Sequence, residues 1–134
     1  MNTRELRIGN WVYAPTKCDY IPARIVNLGE KTWMGRTIVG KHIDGLHDVE
    51  FDTLKSIKPI ELTEQMLLDN GFVLNENGLF KGKEGINLLR SGDGWEGVIF
   101  NKTSHCDFYR DKIYLHELQN LYYEINKKEI DFKL

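Results

Sequence analysis

The chain has 134 residues, 41% hydrophobic, 28% charged and 11% aromatic, with a formal net charge of −2. That length suits one domain, or two very small ones, with a core large enough to stand without metal or disulfide. The charge balance excludes the globally basic surface with which a protein grips duplex nucleic acid through its phosphates. No stretch approaches the roughly eighteen apolar residues of a membrane span, and residues 1–7 lack a signal-peptide core, so a cytoplasmic protein is expected. Cys18 and Cys106 lie far apart and read as free thiols. The sequon at Asn101-Lys102-Thr103 has no meaning without secretion.

In chain order, residues 8–62 read as short strands at Trp11–Tyr13, Ala23–Asn27, Thr37–Ile43, Val49–Phe51 and Ser56–Ile60. Turn signals at Ala14-Pro15, Leu28-Gly29-Glu30 and Asp44-Gly45 separate them. Asp44-Gly45 suits a two-residue hairpin turn, whose central positions need positive φ. So many short strands in so few residues predict a small, strongly bent SH3-like β-barrel over 1–61, because a flat sheet would leave long edges exposed. Trp11 and Tyr13 alternate in one strand and share a face, read mainly as core.

A helix then opens at Thr63, whose side chain can cap it while Leu62 staples onto Leu67; Asn70-Gly71 ends it. Strands follow at Phe72–Leu74, Leu79–Lys81, Ile86–Arg90, Trp95–Phe100 and Cys106–Arg110, with turns at Asn77-Gly78 and Ser91–Gly94. A longer helix spans 114–127, and Ile130–Phe132 reads as a last short strand. The 62–134 part is thus expected as helix, about four antiparallel strands, helix, with both helices on a single face of the sheet. No low-complexity linker separates the halves. The fold class is α+β, one compact unit.

Several motif matches fail on mechanism. Gly92-x-Gly94-x-x-Gly97 fits the dinucleotide fingerprint, but a strand follows it where the helix that holds the pyrophosphate should start. The segment from Gly78 to Lys83 is one residue short of a phosphate loop, and Glu84 stands where Ser or Thr would reach Mg²⁺. His116-Glu117 begins like a zinc-protease helix, yet Asn120 replaces the second ligand. Neither His42 with His47 nor His105 with Cys106 has a ligand-pair spacing, so no metal or cofactor is expected. No nucleophile elbow is present. A Cys106–His116 pair with an acid would need assembly in space, and an enzyme is the least favoured reading.

Two features point to binding. Trp33 sits in a glycine-bounded loop between Lys31 and Arg36, where it either folds back as a lid or offers a stacking platform beside two cations. On the 114–127 helix, Tyr114, Leu115, Leu118, Leu121, Tyr122 and Ile125 form an apolar face, and His116, Gln119, Asn120, Tyr123 and Lys127 line the opposite side. That second stripe is mostly uncharged hydrogen-bonding groups. Either it ties down neighbouring backbone, which is the commoner duty, or it contacts a ligand or partner.

Glu5–Val12, Ile57–Glu64 with Asn70-Gly71-Phe72, and His116–Tyr122 together resemble a family of small proteins encoded by phages and prophages of gut Bacteroidetes. The blocks span most of the chain in order; the usual member has Pro where Glu61 stands. The resemblance implies an accessory role in a host cell's cytoplasm, such as countering host defence, modulating a host enzyme or assisting replication. It implies no activity for any single residue. The reading that follows is a non-enzymatic phage protein that binds and sequesters a small anionic, nucleotide-type ligand through Lys31, Trp33, Arg36, His116, Gln119, Asn120 and Tyr123. The alternative is a module docking on a host or phage protein; third comes nucleic-acid binding by the barrel. A homodimer through 114–125 is a further expectation, because an apolar helix face serves a symmetric pair as well as a core.

Overall fold

A computed structural model describes residues 6–15, 20–28, 37–42, 48–52, 57–76, 78–82, 86–92, 94–100 and 104–134, with backbone alone at Pro15, 37–42, 48–52, Ser91, 97–100 and 104–109. The first five strands are β1 (Trp11–Pro15), β2 (Tyr20–Leu28), β3 (Thr37–His42), β4 (Asp48–Asp52) and β5 (Lys58–Pro59). They form one antiparallel sheet in the order β4-β3-β2-β1-β5. Strand alternation sends Val12, Ala14, Ala23 and Ile25 to one face, where they bury with Leu6. Trp11 and Tyr13 point to the other face and pack, partly buried, on a second and larger core.

β2 breaks its own alternation. The pairing with β3 shifts between Ile25 and Asn27, so Val26 is an extra residue in a bulge. Ile25 is buried, Val26 and Asn27 both face solvent, and Leu28 returns to the inner cluster. Without the bulge, period-two alternation would turn Asn27 into the apolar interior. No hydrogen-bonded pair joins the β4 and β5 edges among the described residues, so the sheet is open. It is nevertheless curled: Cα atoms of β1 and β4 come within 8 Å although two strands stand between them.

The rest comprises α1 (Glu64–Asp69), β6 (Val73–Leu74), β7 (Leu79–Lys81), β8 (Ile86–Ser91), β9 (Gly94–Phe100), β10 (Ser104–Arg110) and α2 (Leu115–Asn126). Thr63 caps α1, its hydroxyl accepting from the Met66 amide at 3.2 Å, and Gly71 follows with φ +88°. The second sheet has five strands among the described residues, one at each of the five segments read as strands between 72 and 110, in the order β10-β9-β8-β7-β6. GxGxxG falls in the tight β8–β9 connection and the strand after it, as Ser91 pairs with Gly94.

The two sheets are joined through the backbone. Glu61 bridges Tyr114, the Leu62 amide donates to Ile113 at 2.8 Å, and the Leu115 amide donates to Ile60 at 2.8 Å. The main core collects Ile60, Leu62 and Leu67, then Phe80, Ile86, Leu88 and Trp95 of the second sheet, with Leu115, Leu118 and Tyr122 of α2. The expected strand at 130–132 does not form. The tail instead buries Phe132 in the core. Asn70 brackets its end, donating from Nδ2 to the Lys133 carbonyl at 2.8 Å and accepting the Lys133 amide at 2.6 Å. One side-chain amide thus supplies the donor and the acceptor that a neighbouring strand would have offered. Among the described residues, no helix is long and apolar enough to cross a membrane.

Candidate functional site

The α2 stripe lies against the turn that enters β1. Gln119 is 2% exposed: its Oε1 accepts the Trp11 amide at 2.8 Å and its Nε2 donates to the Gly9 carbonyl at 3.0 Å. Asn120 Oδ1 accepts from Asn10 Nδ2 at 2.9 Å and from Arg7 Nε at 3.0 Å. Asn10 is fully buried, and its own Oδ1 takes the Arg7 amide at 2.7 Å. Arg7 then spreads across the helix end. Its Nη1 pairs with Glu129 Oε1, its Nη2 reaches Glu129 Oε2 at 3.3 Å, and its guanidinium carbon stands 4.3 Å from the centroid of the Tyr123 ring. Tyr123 is otherwise exposed. His116 is buried, its ring stacked on Tyr114 at 6.1 Å and 11°.

The stripe therefore has two sides. Gln119 and Asn120 hold backbone and side chains of residues 7–11, and for the buried Gln119 an uncharged amide matched on both sides avoids the cost of a charge without solvent. The turn also depends on Gly9, whose φ is +97°; a Cβ there would sit 3.3 Å from the Glu129 carboxylate. The apolar face of α2, through Leu115, Leu118 and Tyr122, is buried within the chain's main core. Lys31, Trp33 and Arg36 lie outside the described residues, as do Asp44-Gly45, Cys18 and His47. His42, His105 and Cys106 are described in backbone only. Among the described residues, no group of three or more His, Cys, Asp or Glu could hold a metal ion.

What the braced turn creates is a groove. Ile8, Gly9, Trp11, Arg24, Ile25, Val26 and Glu129 line an open cavity of about 580 Å³. The backbone ladder sets its geometry: the Gly9 amide donates to the Ile25 carbonyl at 2.8 Å, the Ile25 amide to Asn10 at 2.9 Å, and Trp11 stands directly opposite Arg24. Residues facing each other on antiparallel strands have Cβ atoms about 5 Å apart, so indole and guanidinium belong to one wall. Ile8 is 56% exposed and Val26 42%, an unusual pair of solvent-facing aliphatics beside a tryptophan. Val26 is there because of the bulge. Arg24 is exposed and has no acidic partner among the described residues, whereas Glu129, which also lines the groove, is engaged by Arg7.

Sequence reasoning placed the aromatic-cation pair at Trp33 and missed this one. The signal was present but unreadable locally: Trp11 and Arg24 become neighbours only once β1 and β2 pair in register. Compared with protein-family models, curated proteins and solved structures, the chain matches none.

Proposed function

We propose that the protein binds and sequesters a small anionic, nucleotide-type ligand in the groove beside Trp11 and Arg24. One observation carries this reading: a tryptophan and a cation with no acidic partner among the described residues face each other across a strand pair on the wall of a ligand-sized cavity. Tryptophan offers a planar surface for a base, and a guanidinium matches phosphate oxygens with two parallel hydrogen bonds. Ile8 and Val26 add the apolar lining typical of small-molecule sites. The Gln119–Asn120–Asn10–Arg7 network supports the function indirectly, by fixing the turn that forms one side of the groove.

In this reading the curled first sheet is an SH3-like barrel opened at one seam, supported by the approach of β1 to β4. The resemblance to phage-encoded proteins favours a role in a host cytoplasm, withdrawing a signalling nucleotide from host defence without turning it over. The test is a thermal-shift screen of the purified chain against mononucleotides, cyclic di- and trinucleotides and NAD-derived signals. A ligand at a hundredfold excess over its Kd stabilises the fold by about 2.7 kcal/mol, a rise of several degrees. Silence across the panel overturns the reading.

A separate feature favours the docking alternative. β6 is an edge strand carrying Val73, 64% exposed, and Leu74, 45% exposed, next to exposed Leu68 of α1. Such an edge suits an extended segment of another protein added as a further strand. Replacing Val73 and Leu74 by Lys removes a partner on this edge and leaves groove binding unchanged.

A further inference from the structure

Resting on the groove reading above, we infer that the groove is one end of a longer site, and that this face of the first sheet takes single-stranded nucleic acid. The strand register carries the inference. Trp11 stands opposite Arg24, and Tyr13 stands opposite Pro22 on one side and Lys58 on the other. Residues directly opposite on antiparallel strands share a face. Alternation along β2 adds Tyr20 to that face, because Ala23 and Ile25 bury on the other one. Lys58 fits the same placement, its Nζ standing 4.1 Å from the centroid of the Tyr20 ring. Three aromatic rings and two cations thus share one surface. Neither Arg24 nor Lys58 has an acidic partner among the described residues.

The strip leaves the groove along β2. From Arg24 to Tyr20 the strand covers about 14 Å, whereas a stacked strand of nucleic acid advances about 3.4 Å per nucleotide. The surface is therefore longer than one nucleotide. The cavity beside Trp11 and Arg24 holds the first unit, Tyr13 and Tyr20 offer rings to the bases that follow, and Lys58 supplies a second cation for the backbone. Trp11 and Tyr13 pack in part on the main core, which fixes their rings, and all three aromatics keep some surface in solvent. A ring already fixed loses little freedom when a base stacks on it. Rings interleaved with cations suit a single strand, with base on ring and phosphate on cation, whereas an acidic peptide would use the cations and leave the rings idle. Glu129, the carboxylate of the groove lining, is paired with Arg7. The net charge of −2 is no obstacle to a site whose affinity comes largely from stacking.

The experiment is fluorescence anisotropy of labelled twelve-nucleotide single strands of mixed sequence, one DNA and one RNA, with the whole chain at several salt concentrations. The same sequence as a duplex and poly-glutamate serve as competitors, and AMP binding is measured by calorimetry. A single strand is expected to bind at least about tenfold more tightly than AMP, the worth of one further stacked base, and the tighter of the two strands names the source. With two phosphates neutralised, log Kobs is expected to fall against log salt with a slope of about −1.4, which Lys58→Gln halves. Lys58 is exposed, so an unchanged unfolding midpoint checks that this variant folds. Tyr20→Leu is expected to weaken the single strand about tenfold and leave the slope unmoved. A slope that Lys58→Gln does not change overturns the placement of the strand on this face. Competition by the duplex or by poly-glutamate as strong as that of unlabelled single strand overturns the stacking, and with it the inference. If AMP binds and neither single strand binds more tightly, the inference fails and the groove reading stands. If AMP, both strands and the wider thermal screen are all silent, both fail.

Discussion

Gln119 shows how a residue can look like a ligand contact and serve the backbone instead. A primary amide carries a donor and an acceptor, and here each is matched to a main-chain group of the turn before β1. Gln119→Ala leaves the Trp11 amide and the Gly9 carbonyl without these partners, so a loss of about 2–4 kcal/mol is expected in urea unfolding. Gln119→Glu keeps the acceptor but buries a charge against the Gly9 carbonyl, so it should fare no better. Asn10 adds a second lesson. Its full burial was invisible in the segment Ile8-Gly9-Asn10-Trp11, because the partners that justify it are Arg7 and Asn120.

At the scale of elements, what could be read depended on how local the signal was. The Thr63 cap, the glycine stops and the amphipathic span of α2 each rest on residues a few positions apart, and they appear where the pattern put them. The tail defeated the same reasoning. Ile130–Phe132 has the composition of a strand, yet Phe132 is a plug in the core and the Asn70 bracket replaces strand pairing. Asn70→Ala is therefore expected to speed amide exchange in residues 128–134 severalfold with little effect on the second sheet, measured by hydrogen exchange. The bulge in β2 is a sharper case. Removing Val26 lets Asn27 take the outward position and keeps Leu28 inward, so the shortened chain should still fold, within about 2 kcal/mol of the original, while losing one wall of the groove. A deletion that unfolds the protein would show that the bulge is needed for the sheet itself.

At the scale of the whole molecule, the α+β class and the antiparallel character of both halves follow from the strand and helix signals. Their mutual arrangement does not, since it depends on side chains meeting across the sequence. α2 is the shared element: Leu115, Leu118 and Tyr122 enter the main core, and its polar side braces the entrance to β1. Leu118→Ala should accordingly cost about 2–5 kcal/mol and loosen both halves together in one cooperative unfolding transition. Two separate transitions would show that the halves hold independent stability.

The separation between Gln119 and Trp11, 108 positions along the chain, has a consequence for synthesis. A ribosome delivers the first sheet long before the helix that braces it, and Arg7 waits across 122 positions for Glu129. Phe132 arrives later still, so the main core stays incomplete until almost the whole described chain has left the exit tunnel. Through that interval, Trp11 and Ile8 face the crowded cell with their supporting contacts unmade. The groove is thus finished only after Gln119 and Glu129 have emerged, and a ligand present earlier finds nowhere to bind.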